Sequence, residues 1–133
     1  MTLETQSNHI FYQLLLHGFA SLHTGGSPIR LRVVKDSTRV VLSTPVYKGH
    51  NYIPKSVRDT IKKRDNFGGV KLQTKLSVEE EVYLILLHCS ESLEHLDRKQ
   101  FQDILEEFIW IAEEWRKLLE DRGRGDLIHI PVK

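Results

Sequence analysis

The sequence predicts an α+β domain, a small antiparallel sheet packed with helices, and three observations carry that prediction. From Asp97 to Arg122 apolar residues step by three and four over about seven turns. From Ile29 to Val46 the apolar period changes to two. A second helical pattern opens the chain between Ser7 and Leu22. Two helical ends with a hairpin between them leave one core to share, as expected of a single domain of 133 residues.

The first helix shows one apolar face of Ile10, Phe11, Leu14, Leu15, Phe19 and Leu22, and Gly25-Gly26 ends the segment. Gly18 weakens its last turn, and the alternative for Phe19 to His23 is a short strand. In the hairpin, Ile29, Leu31 and Val33 alternate with Arg30, Arg32 and Val34, and Arg39 to Leu42 resumes the β-branched run after a polar turn. One face is expected on the core and the arginines outside. Pro45 closes the second strand or sits at its edge.

A loop with Gly49, His50 and Asn51 leads to Ile53-Pro54, where proline suits a first helical position. Ile53, Val57 and Ile61 then recur every four residues, predicting a short helix that ends near Arg64. From Phe67 to Cys89 two readings stand. Val70, Leu72 and Leu76 look strand-like after Gly68-Gly69, while Ser77 and Glu80 form a capping-box signature ahead of Val82, Ile85, Leu86 and Cys89. Val82 to Leu87 is also a continuous apolar run, as in a strand buried on both faces.

The long helix has its own punctuation. Asp97 is the expected N-cap, Gln100 completes the pair, acids crowd the first half, and Arg116, Lys117 and Arg122 crowd the end. Phe101, Ile104, Phe108, Ile111, Trp115 and Leu118 form its stripe, broadened by Leu105, Ala112 and Leu119. Gly123 is the expected stop. The domain is therefore drawn as residues 1–122, with 123–133 as a flexible tail.

Composition narrows the class. One cysteine, Cys89, excludes an intramolecular disulfide and fits a reducing compartment. No apolar run reaches the ~20 residues of a membrane span, and no basic-then-apolar leader opens the chain, so a cytoplasmic protein without membrane insertion is expected. The net charge of +1 hides segregation: twelve Lys/Arg against three acids from Pro28 to Leu76, and four against thirteen from Ser77 to Asp121. The halves either neutralise each other or a second copy, or present a basic face to an acidic partner or nucleic acid.

No constellation supports chemistry. His88, Cys89 and His95 fall short of the ligand count of a structural zinc site, and Cys89 ends an apolar run instead of lying in an accessible, thiolate-favouring setting. Glu106-Glu107 and Glu113-Glu114 lie on the polar flank of the long helix, and no phosphate loop, dinucleotide fingerprint or nucleophile elbow occurs. No catalytic residue, metal or cofactor is predicted. Arg30, Arg32 and Arg39 have only Tyr47 as an aromatic neighbour, too little for a stacking platform, so nucleic acid is not the expected partner. Trp110 lies opposite Phe108 on the long helix, either at an interface or against a second layer.

In element order the chain resembles the class I chaperones of type III secretion, an α-β-β-β-α-β-β-α fold. Gly68-Gly69, the run Leu84-Ile85-Leu86-Leu87-His88-Cys89, Phe108 and Trp115 are similar to chlamydial members of that family. Pro45-Val46 ahead of Ile53-Pro54 adds a proline-marked link into the second helix, and the resemblance spans roughly residues 8–120. It implies that Tyr83 to Cys89 is the last strand, paired with Val70 to Lys75. Between Leu22 and Ile29 the family's first strand is hard to find, which implies a truncated effector-contacting sheet. The family is usually acidic, whereas this chain has a pI near 7.9.

The resemblance further implies a non-enzymatic bacterial chaperone that binds the N-terminal segment of a secreted effector as a homodimer. The second helix and last strand would form the dimer interface, through Ile53, Val57, Ile61, Val82, Leu84 and Leu86. Client grooves are expected on the first helix and hairpin, at Phe11, Leu14, Leu15, Ile29, Leu31 and Val33. The alternative is a chaperone-like regulator that binds a sigma factor or RNA polymerase and modulates transcription. For it the basic patch of Arg58, Lys62, Lys63 and Arg64 would face an acidic partner.

Overall fold

The computed structural model describes residues 2–24, 27–34, 36, 38–63, 67 and 71–129. Its elements are α1 (Leu3–His17), β1 (Phe19–Thr24), β2 (Ser27–Val34), β3 (Arg39–Lys48), α2 (Lys55–Lys63), β4 (Lys75–Glu79), β5 (Leu84–Ser92) and α3 (Arg98–His129). Five strands form one antiparallel sheet in the order β1-β2-β3-β5-β4, so the α+β prediction holds.

The first strand is present, which corrects the expected truncation. Thr2 caps α1, its hydroxyl oxygen accepting the Thr5 N–H at 3.2 Å. Gly18 then takes the left-handed conformation, φ +81°, and its N–H reaches the Leu14 carbonyl at 2.9 Å. Its own carbonyl accepts the Val33 N–H at 2.8 Å. One glycine thus ends the helix at His17, short of Leu22, and feeds the chain into β1 beside β2, so of the two readings of Phe19 to His23 the strand holds.

The second correction concerns β4. The strand beside β5 is Lys75–Glu79, in place of the Val70–Lys75 segment that the resemblance implied. Val70 and Gly68-Gly69 lie outside the described residues. Leu72 is buried in the connection, where Glu107 Oε1 accepts the N–H groups of Lys71 and Leu72 at 2.5 and 2.9 Å. The Ser77/Glu80 capping signature is unused: Ser77 pairs with Leu86, and Glu80 opens a turn closed by Tyr83 at φ +56°. Burial explains the outcome, because Ile85 and Leu87 enter the core while Leu84 and Leu86 stay half-buried on the other face.

Helix α3 lies across the inner face of the sheet with α1 beside it, and the Phe11 and Phe101 rings meet at 4.9 Å. Its cap is reciprocal: the Gln100 N–H donates to Asp97 Oδ1 at 2.8 Å and the Asp97 N–H to Gln100 Oε1 at 3.1 Å. Phe101, Leu105, Phe108, Ile111, Ala112, Trp115 and Leu119 are at most 1% exposed, with Ile104 and Leu118 on the flank of that seam. The expected stop at Gly123 is not found. The helix runs 32 residues to His129, and Gly123 instead permits close packing, since a Cβ there would lie 3.1 Å from the Tyr47 hydroxyl.

Proline explains the one irregularity of the ladder. Pro45 has no N–H to give, and the β3–β5 register shifts between Pro45 and Tyr47. Arg116 on α3 fastens this point, donating to the Pro45 carbonyl at 3.1 Å, to Thr44 Oγ1 at 2.8 Å and to Glu113 at 2.8 Å. The buried Thr44 hydroxyl in turn donates to the Pro28 carbonyl at 3.0 Å, locking β3 to β2. Helix α2 packs on α3 through Val57.

Candidate interaction surfaces

The six residues expected to line client grooves separate. Phe11, Leu14, Ile29 and Leu31 are buried in the core, Val33 is half-buried against it, and Leu15 is exposed. Sequence periodicity missed what surrounds Leu15. Tyr12, Leu15 and Leu16 share the outer side of α1, and Phe19 follows at the start of β1, each 61–67% exposed. The signal was the spacing i, i+3, i+4, i+7, a second apolar stripe that merged with the first when the helix was drawn through Leu22. Phe19 opens β1 at the sheet edge, its ring 6.3 Å from that of His17 at the end of α1. β1 is that edge: among the described residues it pairs with β2 alone, and alternate backbone groups of its free side have no partner strand there.

The expected dimer residues also divide. Ile53 and Val57 belong to the core, Ile61, Leu84 and Leu86 are half-buried, and Val82 is 54% exposed at the tip of the β4–β5 turn. Leu84 and Leu86 point to the outer face of the sheet, which no described helix covers. Of the basic patch, Arg58 is engaged. Its guanidinium forks onto Glu80 at 2.7 and 2.9 Å and also donates to the Ile53 carbonyl at 3.2 Å, tying α2 to the β4–β5 turn. That hydrogen bond raises the Arg58 pKa and lowers that of Glu80. Lys62 and Lys63 are exposed, and Arg64 lies outside the described residues.

The outer face of the sheet is polar toward β1 and β2. Opposed residues share a face, so Phe19, Arg32, Val41 and Ser90 form one cross-strand row, and Ser21, Arg30, Ser43, His88 and Lys75 the next. Arg39 lies over the first row, its guanidinium donating to Ser90 Oγ at 2.8 Å and to the Ser90 carbonyl at 2.9 Å. Trp110 is 46% exposed and meets Phe67 edge-on at 6.1 Å.

Chemistry finds little here. Burial, helped by the nearby charge of Glu91, pushes the Cys89 thiol up to about 12, which keeps it protonated and unreactive. Among the described residues no group of three or more His, Cys, Asp or Glu is placed to hold a metal. No described helix is long and apolar enough to cross a membrane. A shallow groove of about 660 Å3 runs between the first turns of α3 and the end of β5, rimmed by Glu91, Glu94 and Asp103 over Leu72 and Ile104.

Comparison with known proteins assigns the fold. Among curated proteins none matches this chain. Several solved complexes contain chains of the same fold. A chain of the ExsC–ExsE complex superimposes with a TM-score of 0.61 at 16% identity, covering 90% of this chain and 97% of that one. A chain of the HopA1–SchA chaperone–effector complex gives 0.59 at 14% identity, covering 86% and 94%. A chain of the ExoT–SpcS complex from Pseudomonas aeruginosa gives 0.56 at 20% identity, covering 82% and 95%. The model of the Tir chaperone protein (CesT) family matches residues 11–116, all of the sheet and more than half of α3. The chain belongs to that family of type III secretion chaperones.

Proposed function

We propose that this protein is a non-enzymatic secretion chaperone that holds the N-terminal segment of an effector in extended form and acts as a homodimer in the bacterial cytoplasm. The observation that carries the reading is the unpaired β1 edge bordered by Tyr12, Leu15, Leu16 and Phe19. An extended client adds main-chain hydrogen bonds along the edge and sets apolar side chains on that stripe. Each well-buried anchor contributes roughly 1.5–3 kcal/mol. Three or four therefore offset the ~2–5 kcal/mol of ordering a disordered segment. Solved complexes with chains of this fold include one described as chaperone–effector, which supports a polypeptide client.

Self-association would use the apolar half of the outer face, at Leu84 and Leu86 with Val82 at the β4–β5 turn, together with Ile61 of α2. Light scattering at micromolar concentration should give twice the 15.5 kDa chain mass. A species at the chain mass alone removes the dimer. Affinity capture from the native cytoplasm should recover a secreted protein whose N-terminal segment is protected from protease, and Leu15→Ser with Leu16→Ser should release it. Recovery of a sigma factor or RNA polymerase in its place would establish the regulator instead.

A further inference from the structure

We infer that the β1–β2 end of the outer sheet face selects acidic client segments, with Arg30 and Arg32 receiving carboxylates spaced two residues apart. This deepens the reading above and rests on it in one respect, that a polypeptide lies along β1.

Arg30 and Arg32 are consecutive outward residues of β2, about 7 Å apart along the strand. Both are exposed, and neither has an ion pair among the described residues. The described strands of that face carry Arg30, Arg32, Arg39, Lys48 and Lys75, against one acid, Glu79, on the far edge strand. Such a field goes unneutralised by its own sheet, so an anion from elsewhere is stabilised there.

Geometry sets which anion. A strand added to β1 lies about 9.6 Å from β2, two strand spacings. Across that gap stand Ser21, too short to block Arg30, and Phe19, opposite Arg32. An arginine and a glutamate reaching from either side span the distance. Outward residues of the added strand repeat at i and i+2, the same spacing as the two guanidinium groups. The neighbouring surface favours a polypeptide over nucleic acid: Leu15 and Leu16 are aliphatic, and Phe19 is the one Phe, Tyr or Trp on the described strands of the outer face, beside the imidazoles of His23 and His88. Bases would need more rings than that. Arg30 and Arg32 also lie two strands from Leu84 and Leu86, away from the surface assigned to a second copy.

The test is selection of binders from a phage-displayed library of random peptides, using the full chain. Wild type should enrich Asp and Glu at alternate positions beside apolar anchors, roughly threefold over the input, and Arg30→Glu with Arg32→Glu should shift the enrichment to Lys and Arg. An enriched peptide should lose about tenfold in affinity to that variant, and the loss should shrink at high salt. Arg30→Gln with Arg32→Gln should lose the acidic enrichment without gaining a basic one, and a circular-dichroism melt confirms folding of both. Apolar enrichment without acids overturns the inference and leaves the chaperone reading intact, provided Leu15→Ser with Leu16→Ser removes binding. No enrichment of any sequence overturns both. Binding of a single-stranded oligonucleotide that the arginine variants lose, or a change in their oligomeric mass, would assign the face to another occupant and also overturn the inference.

Discussion

On its inner face the sheet presents Leu31, Leu42, Ile85 and Leu87 beneath α1 and α3, all at most 1% exposed; on its outer face the same strands present Arg30, Ser43, Leu86 and His88 with no described helix above them. Leu31 and Arg30 are chain neighbours, as are Cys89 and His88. A pleat of period two therefore divides one set of residues into a stability surface and an interaction surface. The inner face has to be dry and close-packed. The outer face keeps free cations and half-buried leucines, which suits contact with something outside the fold.

The largest effect should come from breaking the inner face. Trp115→Ala empties a fully buried position and should cost about 3–5 kcal/mol, a large part of a domain's ~5–15 kcal/mol. Urea melts should show it, while Arg30→Ala stays within about 0.5 kcal/mol. Comparable losses from the two substitutions would dissolve the division between faces. Arg116→Ala should come next, at about 1–3 kcal/mol, because it removes both donors that hold the Pro45 carbonyl and Thr44 hydroxyl at the bulge. A melt unchanged by Arg116→Ala would mean that the bulge needs no fastening from α3.

Cys89 offers a pH signature of the inner face. Its thiol is raised to about 12 chiefly by burial, so the folded state keeps a proton that the unfolded chain releases near pH 8.5. Stability from this group is complete below that ordinary value and declines as pH climbs toward the folded one, by about 1.4 kcal/mol per unit. Cys89→Ala should flatten that alkaline slope between about pH 9 and 11. A slope identical in wild type and variant would show that the thiol is not dry.

Much of this division was legible in the chain. Period-two alternation marked Ile29, Leu31, Arg30 and Arg32 for opposite faces, and the α3 seam and its Asp97–Gln100 cap followed from spacing alone. What stayed open or escaped were places where one residue serves two ends. Gly18 both ends α1 and opens β1; the sequence offered Phe19 to His23 as a strand beside the helical reading, and the left-handed backbone decides for the strand. Gly123, a stop by composition, is a packing contact with Tyr47. Ser77 and Glu80 spell a helix cap, yet the partner strand and the Arg58 fork claim them first. Tertiary context also decided the candidate surface: Phe11, Leu14, Ile29 and Leu31 carry the same apolar signal as Leu15, and only packing distinguishes covered from open.

Smaller stability effects are expected outside. Leu15→Ser with Leu16→Ser should move the melt little, within about 0.5 kcal/mol per site, since both side chains already meet solvent. The same pair should weaken an apolar client at least tenfold, measured by anisotropy of a bound peptide. Equal losses of stability and binding would place these leucines in the core and return the edge to a structural role.

The smallest effect belongs to the Arg58–Glu80 fork, which lies at the exposed end of the outer region. Its hydrogen bond lowers the Glu80 pKa below the ordinary 4.5, so its contribution is present above that value and is lost as pH falls through the lowered one. Water and salt screen so open a pair, and Glu80→Gln should leave the neutral-pH melt almost unchanged. Below the ordinary carboxylate range wild type should lose slightly more stability than Glu80→Gln, and high salt should erase the difference. The fork's larger role is orientation: it points the β4–β5 turn, with Val82 at its tip, toward α2. Glu80→Gln should therefore disturb self-association, read by light scattering, more than folding. If it destabilises the chain as much as Arg116→Ala does, α2 is held by charge instead of by Val57, and this end of the molecule is as structural as the inner face.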